Sequence, residues 1–260
     1  MVILKYQPQI HLQNRLDLQS IYFILISFFG LFFLSILFFY SPTSAINYNF
    51  QKTLFLLIFL GICLLGMFAA VFPNHCIYLL NYKKGFKNQR VRNKINTNYH
   101  IRKINYEGHH PDCGKFNSHI FILTGVKYCA GCTGLFLGGF ISVIGSLIYY
   151  FGYFPSYLSV INASVLFWMG FFAVFFSLSQ LIFINLKNNI VKFSSNFLLV
   201  LGCFLMLIGI NSIKGSISLE IYFLILVIFW ILTRIRISQY NHRLTCLECD
   251  QIACMDENNF

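Results

Sequence analysis

The chain alternates between long stretches without a charged residue and shorter polar segments. The first two uncharged stretches cover residues 20–40 and 53–73, and each holds 21 residues. About 20 apolar residues in a helix span the hydrocarbon core of a bilayer, so each stretch predicts one transmembrane helix. Residues 43–45 imitate a signal cleavage site, but the preceding apolar stretch is longer than a signal peptide's core, which favours a membrane anchor.

Four further apolar stretches follow a long polar segment. They cover residues 129–151, 158–183, 194–213 and 218–233. The segment 185–193 is expected to be a turn. The last stretch is the shortest, with Glu220 expected at the outer membrane interface and Arg234 and Arg236 at its other end. The pattern predicts an all-α, polytopic bundle of about six transmembrane helices.

The composition supports this fold class. Of the 260 residues, 57% are hydrophobic, 18% aromatic and 10% charged, and the mean hydropathy is +0.68. Soluble domains average roughly 45–50% apolar and about 25% charged residues. The composition therefore excludes an ordinary soluble domain and favours helices whose backbone groups are satisfied internally within lipid.

Positive charge is distributed unevenly between the two sides of the predicted spans. The formal net charge is +11, and seventeen of the 19 Lys and Arg residues fall on one side. Only Lys52 and Lys214 fall on the other side. Because the cytosolic side of membrane proteins carries the excess of basic residues, both termini are expected in the cytosol of a multi-pass cell-membrane protein.

This orientation divides the chain into four segments. They are an N-terminal tail with two spans (1–73), a basic, Cys- and His-rich cytosolic loop (74–128), four spans (129–234) and a cytosolic tail (235–260). The loop far exceeds the usual helix connection of about 2–8 residues, which indicates a functional segment. Its ten basic residues, at 74–127, favour contact with anionic lipid headgroups of the bilayer. Nucleic acid is not favoured, because no binding motif accompanies the charge.

Two local patterns flank the start of the third span. Residues 119–129 are rich in β-branched and aromatic residues around Gly125, which predicts a short hairpin that delivers Cys129 and Cys132 on one tight turn. Within the span, small residues recur at every fourth position, on one helix face where another helix can approach closely. These residues are Gly134, Gly138, Ser142 and Ser146. We interpret them as a packing seam.

Cysteines are concentrated on the predicted cytosolic side. Seven of the nine fall there: Cys76, Cys113, Cys129, Cys132, Cys246, Cys249 and Cys254. Because the cytosol is reducing, this concentration favours metal or redox chemistry over structural disulfides. The other two, Cys63 and Cys203, fall inside spans and are expected to be small apolar packing residues.

The strongest candidates for metal ligands are Cys129 and Cys132. Two thiolates at this spacing reach one tetrahedral ion at about 2.3 Å, and two further Cys or His ligands close a structural zinc site. The nearest suppliers are Cys113, His109, His110 and His119. The sequence thus predicts a metal site, with zinc first and iron as the alternative. Whether the second Cys-x-x-Cys pair, at 246–249, and Cys254 join it is left open.

The same residues allow other chemistries. A Cys-x-x-Cys pair at a helix start has its thiolate stabilised by the helix dipole, which suits a thiol-disulfide oxidoreductase. A zinc ion with an open position, with Asp112 or Glu107 as general base, would suit a metal-dependent hydrolase, although no His-Glu-x-x-His motif occurs. A transporter is weakly supported, because Glu220 is nearly the only ionisable residue within the spans.

Two motifs carry a resemblance to a known family. The sequence His-His-Pro-Asp-Cys at 109–113, with Cys-Ala-Gly-Cys-Thr-Gly-Leu at 129–135, resembles a family of uncharacterised prokaryotic integral membrane proteins. In that family a Cys-His-Gln element precedes Cys-x-Arg-Cys-x-Gly at the start of a transmembrane helix. The resemblance covers about residues 105–145 and implies a membrane-face motif, without an assigned reaction.

The residues of that motif can be placed on this chain individually. Cys113 matches the first cysteine, Cys129 and Cys132 match the pair, and Gly134 matches the glycine that follows. The chain has Gly-Lys at 114–115 where the family has His-Gln, and Gly131 where the family has arginine. Any role of that histidine or arginine is not carried over by the match, although His109, His110 and His119 stand nearby as substitutes.

Overall fold

The structure is a bundle of long apolar helices with two short hairpins on one connection. It is a computed structural model that describes residues 18–40, 49–72, 106–107, 110–111, 119–123, 126–151, 160–180, 188–213 and 216–247. Its helices are α1 (Leu18–Tyr40), α2 (Asn49–Val71), α3 (Ala130–Tyr150), α4 (Val160–Ser179), α5 (Asn189–Ile213) and α6 (Ile217–Leu247). Each contains a stretch long and apolar enough to cross a membrane, as predicted.

The two hairpins are antiparallel and lie between α2 and α3 in the chain. The first pairs β1 (Tyr106–Glu107) with β2 (His110–Pro111), and the second pairs β3 (Ile120–Leu123) with β4 (Val126–Cys129). In the second hairpin Ile120 lies opposite Cys129, so the strand ends where α3 begins. This confirms the predicted hairpin.

Helix α5 lies at the centre of the bundle. Its broadest contacts are with α4 and with α3, and α3 packs in turn against α2. Helix α1 packs mainly on α6 and touches α4 through aromatic rings, among them the stacked pair Phe38 and Phe167, whose centroids are 3.8 Å apart. The outward-facing side chains of all six helices are largely apolar, as lipid contact requires.

Small residues bring α5 into backbone contact with its two main neighbours. The seam residues Gly134, Gly138, Ser142 and Ser146 are all buried. A Cβ atom added to Gly134 would collide with the Phe193 carbonyl oxygen of α5, and one on Gly138 would lie 2.9 Å from the Phe197 oxygen. The predicted packing seam is therefore confirmed. A second close approach, between Gly170 of α4 and Gly202 of α5, was not predicted.

Helix α1 and helix α6 are held together by polar contacts inside the apolar bundle. The Ser27 hydroxyl lies 2.9 Å from the Thr233 hydroxyl, and the buried Trp230 indole donates to the Ser27 carbonyl oxygen at 3.2 Å. Near the other end of the pair, the Tyr222 hydroxyl donates to the Gly30 carbonyl oxygen. From Ser27 to Gly30 the chain runs forward along α1, while the partners on α6 run backward, from Thr233 to Tyr222. The two helices are therefore antiparallel.

Two helix boundaries differ from the prediction. Helix α5 begins at Asn189, so the expected turn at 185–193 is wrong for its last five residues; the Asn188 side chain accepts a hydrogen bond from the Ile190 amide there. Helix α6 is the longest helix, with 31 residues, rather than the shortest. Arginine is a good helix former, and α6 continues through Arg234 and Arg236, whose partners lie on α5 (Asn196) and α1 (Gln19).

Replacing Gly134 with alanine tests the backbone contact between α3 and α5. The added methyl group meets a backbone oxygen that cannot rotate away, so we expect Gly134→Ala to lower the stability by about 1–3 kcal/mol. The matched control is Gly61→Ala in α2, where nothing lies within 4 Å of the added carbon. The control should be neutral or slightly stabilising, because alanine favours helix over glycine by roughly 1 kcal/mol. The measurement is the thermal unfolding midpoint in detergent; equal midpoints for Gly134→Ala and wild type would contradict the contact.

Candidate functional site

The second hairpin places Cys129 at the boundary between a strand and a transmembrane helix. Cys129 is the last residue of β4 and the N-cap residue of α3, with extended backbone angles of φ −68° and ψ 123°. The thiol makes no capping hydrogen bond, but the Thr133 hydroxyl, one turn on, donates to the Cys129 carbonyl oxygen at 2.8 Å. The cysteine is thus fixed at its backbone by the following turn of α3.

The two cysteines of the pair face each other. Cys132 lies in the first turn of α3, three residues after Cys129, and both thiols are reduced and half-buried. Their side chains are in hydrogen-bonding contact. Two thiols on one turn fit two of the four sulfur or nitrogen ligands of a tetrahedral zinc ion, and the same contact suits formation of a disulfide.

The first two turns of α5 form a polar face that supports the hairpin and the cysteine turn. The Asn189 amide donates to the Ile120 carbonyl oxygen of β3 at 2.7 Å, and the Asn196 amide donates to the Gly131 carbonyl oxygen at 2.9 Å. Between them, the Lys192 ammonium lies close enough to Cys129 for electrostatic interaction. Residues at i, i+3 and i+7 share one helix face, so α5 presents all three side chains to the same region.

A second cation approaches the cysteine turn from α6. The Arg234 guanidinium donates through Nε to the Asn196 Oδ1 atom at 2.9 Å and through Nη2 to the same oxygen. The one acidic residue whose side chain is described is Glu220, which lies far from Arg234 along α6. Within the described part of the chain, the region around Cys129 and Cys132 is therefore positively charged.

The structure describes the other predicted metal ligands to different extents. His119 is half-buried and lies directly before β3, next to the residue that pairs with Cys129. At His110 only the backbone of β2 is described, and His109 and Cys113 lie outside the described residues. Where side chains are described, no three Cys, His, Asp or Glu residues come close enough to hold a metal ion. The full ligand set therefore stays a prediction.

The remaining cysteines can be placed in part. Cys63 and Cys203 are buried in the apolar core, as predicted for packing residues. Cys246 falls in the last turn of α6, whose side chains there are not described, while Cys76, Cys249 and Cys254 lie outside the described residues. Participation of the tail cysteines in the site stays open.

Sequence reasoning missed the residues that surround the pair. The sequence predicts for Lys192 only a contribution to orientation and for Arg234 also the end of a span, and it predicts no role for Asn189 and Asn196. The sequence does contain a pattern that indicates a polar helix face. Three polar residues lie at i, i+3 and i+7 in a largely apolar segment: Asn189, Lys192 and Asn196. The expected turn at 185–193 hid this periodicity.

A separate polar cluster lies at the opposite end of α3. The Tyr149 hydroxyl donates to Asn211 Oδ1 at 3.0 Å and lies 3.2 Å from the Ser212 hydroxyl, and the Asn211 amide donates to Glu220 Oε1 at 3.2 Å. Glu220 lies in the first turn of α6, is only 2% exposed and is turned into the protein, towards Asn211; its expected depth at the outer interface stays a prediction. A carboxyl group within a span favours such partners, because lipid offers none.

No protein-family model, curated protein or solved structure matches the chain. The class of protein is therefore assigned from the fold and from the geometry of the cysteine pair. The chain is a multi-pass, all-α membrane protein with a reduced cysteine pair at one end of its helical bundle.

Proposed function

We propose that the cysteine pair is half of a zinc site that fastens the central loop to the helical bundle. The observation that carries the proposal is the contact between the Cys129 and Cys132 side chains on a turn fixed by α5. Zinc takes four such ligands in its structural sites, and the remaining two would come from Cys113, His109, His110 and His119. Iron is the alternative metal for a thiolate-rich tetrahedral set.

The charges around the pair support this role. With Cys113 and one histidine as the remaining ligands, the zinc centre would carry a net charge of −1, and with two histidines it would be neutral. Lys192 and Arg234 supply positive charge on the side of α5 and α6. Since charge interactions strengthen where water is scarce, these cations would stabilise the anionic form of the centre, with three thiolates, at the membrane face.

Metal content tests the zinc site. We expect about one zinc or iron ion per chain in protein purified in detergent without chelators, since a closed thiolate site binds tightly. The Cys129→Ser, Cys132→Ser double variant should lose the ion. The matched control, Cys63→Ser, Cys203→Ser, removes two cysteines from the apolar core and should retain it. Absence of metal from the wild type would reject the proposal.

A thiol-disulfide oxidoreductase is the second candidate, favoured by the reduced pair at a helix start beside Lys192. The Cys129 thiolate would attack a substrate disulfide, form a mixed disulfide and release one substrate thiolate, which takes up a proton. Cys132 would then displace the second thiolate and close the Cys129–Cys132 disulfide. Two electrons pass to the substrate, and a separate dithiol protein would reduce the pair again.

Alkylation of the pair distinguishes the two candidates. A closed zinc site should protect Cys129 and Cys132 from iodoacetamide until a strong chelator removes the ion, because bound thiolates are poor nucleophiles. The redox candidate expects fast alkylation without a chelator and a disulfide that forms and reverses with diamide and dithiothreitol. Mass spectrometry of the peptide that contains both cysteines shows whether they are alkylated, unreacted or joined in a disulfide. Slow alkylation after metal removal, with no disulfide under oxidant, would eliminate the oxidoreductase.

We also propose that the end of the bundle with the cysteine pair faces the cytosol. All three Lys and Arg side chains that the structure describes, Lys192, Arg234 and Arg236, lie at this end. The basic loop would then meet anionic headgroups on the same side. The excess of basic residues on the cytosolic side supports this orientation.

Reporter fusions test the orientation. Green fluorescent protein fused after Phe260 should fluoresce, because it matures in the cytosol, and alkaline phosphatase fused there should be inactive, because its disulfides need an oxidising compartment. The complementary fusion places phosphatase after Ile213, where the orientation predicts activity. A reversed pattern at both positions would place the cysteine pair on the outer side.

A further inference from the structure

A chain of hydrogen bonds connects the cysteine turn to two other helices. Arg234 of α6 donates to the side-chain oxygen of Asn196 in α5, and the Asn196 amide nitrogen donates to the carbonyl oxygen of Gly131. Gly131 is the residue directly before Cys132. Three transmembrane helices therefore meet at the turn that carries the cysteines, through one asparagine side chain.

The donor and acceptor properties of the three groups allow only one direction for this series of hydrogen bonds. A guanidinium group only donates hydrogen bonds and a backbone carbonyl only accepts them, so the residue between them must accept at one end and donate at the other. A terminal amide does both. Because Arg234 occupies the amide oxygen, the Asn196 nitrogen is directed at Gly131, and the amide has no equivalent flipped arrangement.

Fixing the Gly131 carbonyl also fixes part of Cys132. The Gly131 oxygen and the Cys132 amide belong to one planar peptide group and point in opposite directions. Both residues lie in the first turn of α3, so the hydrogen bond from Asn196 adds to the helix geometry in holding the Cys132 amide and limits rotation of the turn between the two thiols. Space is limited as well, since a Cβ atom added to Gly131 would lie 2.9 Å from the Asn196 nitrogen.

We propose that Asn196 and Arg234 are positioning residues for the cysteine site, with Asn196 holding the turn and Arg234 holding Asn196 while contributing positive charge to the bound metal–thiolate centre. The inference rests on the proposed metal-binding function of the pair. Neither residue ligates the metal: an amide and a guanidinium are not thiolate-site ligands, and both act through the Gly131 peptide and through charge. Ligand-orienting residues of this kind change metal affinity by roughly 10- to 100-fold when replaced.

Cobalt binding tests the positioning role, because Co²⁺ reports its ligand geometry in its absorption bands. We expect Asn196→Asp to weaken Co²⁺ binding by about 10- to 100-fold and to shift the ligand-field bands, since the carboxylate keeps Arg234 as a partner but repels the Gly131 oxygen. Arg234→Gln should weaken binding too. Arg234→Lys should bind more tightly than Arg234→Gln, because it restores the positive charge.

The matched control is Ser195→Ala, one residue away on α5. It removes the contacts of the Ser195 hydroxyl with Ser177 of α4, at 3.3 Å to the Ser177 carbonyl oxygen and 3.4 Å to the Ser177 hydroxyl. The 2.7 Å hydrogen bond from the Ser177 hydroxyl to the Ser195 carbonyl oxygen is kept, and the cysteine turn is not altered. Thermal unfolding of each variant separates loss of fold from loss of geometry. Wild-type affinity and unshifted bands in folded Asn196→Asp would overturn the inference.

A second measurement separates this inference from the proposed function. In metal-free protein, the rate of Cys129–Cys132 disulfide formation with diamide reports the geometry of the turn directly. A positioning role predicts severalfold slower closure in Asn196→Asp than in wild type or Ser195→Ala. If wild type binds no metal, the zinc proposal fails, and the disulfide rates still decide the positioning role: equal rates in all three proteins would reject it.

Discussion

The close approach of α3 to α5 determines where the cysteine pair lies. Because Gly134 and Gly138 have no side chains, the α3 backbone reaches the Phe193 and Phe197 carbonyl oxygens of α5. Helix association in lipid depends on such packing, since the hydrophobic effect does not favour one apolar partner over another. The contact begins at Gly134, two residues after Cys132, so the start of α3 is held against the polar turns of α5.

Two clusters of polar side chains, one at each end of the bundle, each join three helices. At the cysteine end, Arg234 and Asn196 join α6 to α5 and reach the backbone of α3. At the other end, Asn211 joins α5 to Glu220 of α6 and accepts from Tyr149 of α3. Buried polar groups without partners are costly, so each cluster restricts the helices to one rotation and one depth. Helix α5 carries an asparagine at the centre of both clusters.

Much of the architecture was predictable from the sequence because lipid imposes simple rules. Six apolar stretches gave six helices, the every-fourth spacing of small residues gave the α3 seam, and the pattern around Gly125 gave the hairpin that ends at Cys129. Each of these signals is local in the chain. The length of α6 was not predictable from charge alone, because the partner of Arg234 inside the bundle lies 38 positions away in the chain.

The surroundings of the cysteine pair depend on contacts between distant segments, and sequence patterns do not show those contacts. The sequence identified Cys129 and Cys132 but not Asn196, whose importance comes from lying between Arg234 and Gly131. The same reason applies to Glu220: a single acidic residue near a helix end does not reveal in the sequence that Asn211 of another helix is its partner.

The zinc-edge X-ray absorption spectrum of the purified protein tests the central claim most directly, because it counts the sulfur atoms around the metal. A site built on Cys129 and Cys132 predicts a four-coordinate ion with at least two sulfur ligands at about 2.3 Å, reduced in number by Cys129→Ser. A zinc ion surrounded only by nitrogen and oxygen atoms at about 2.0–2.2 Å would contradict it.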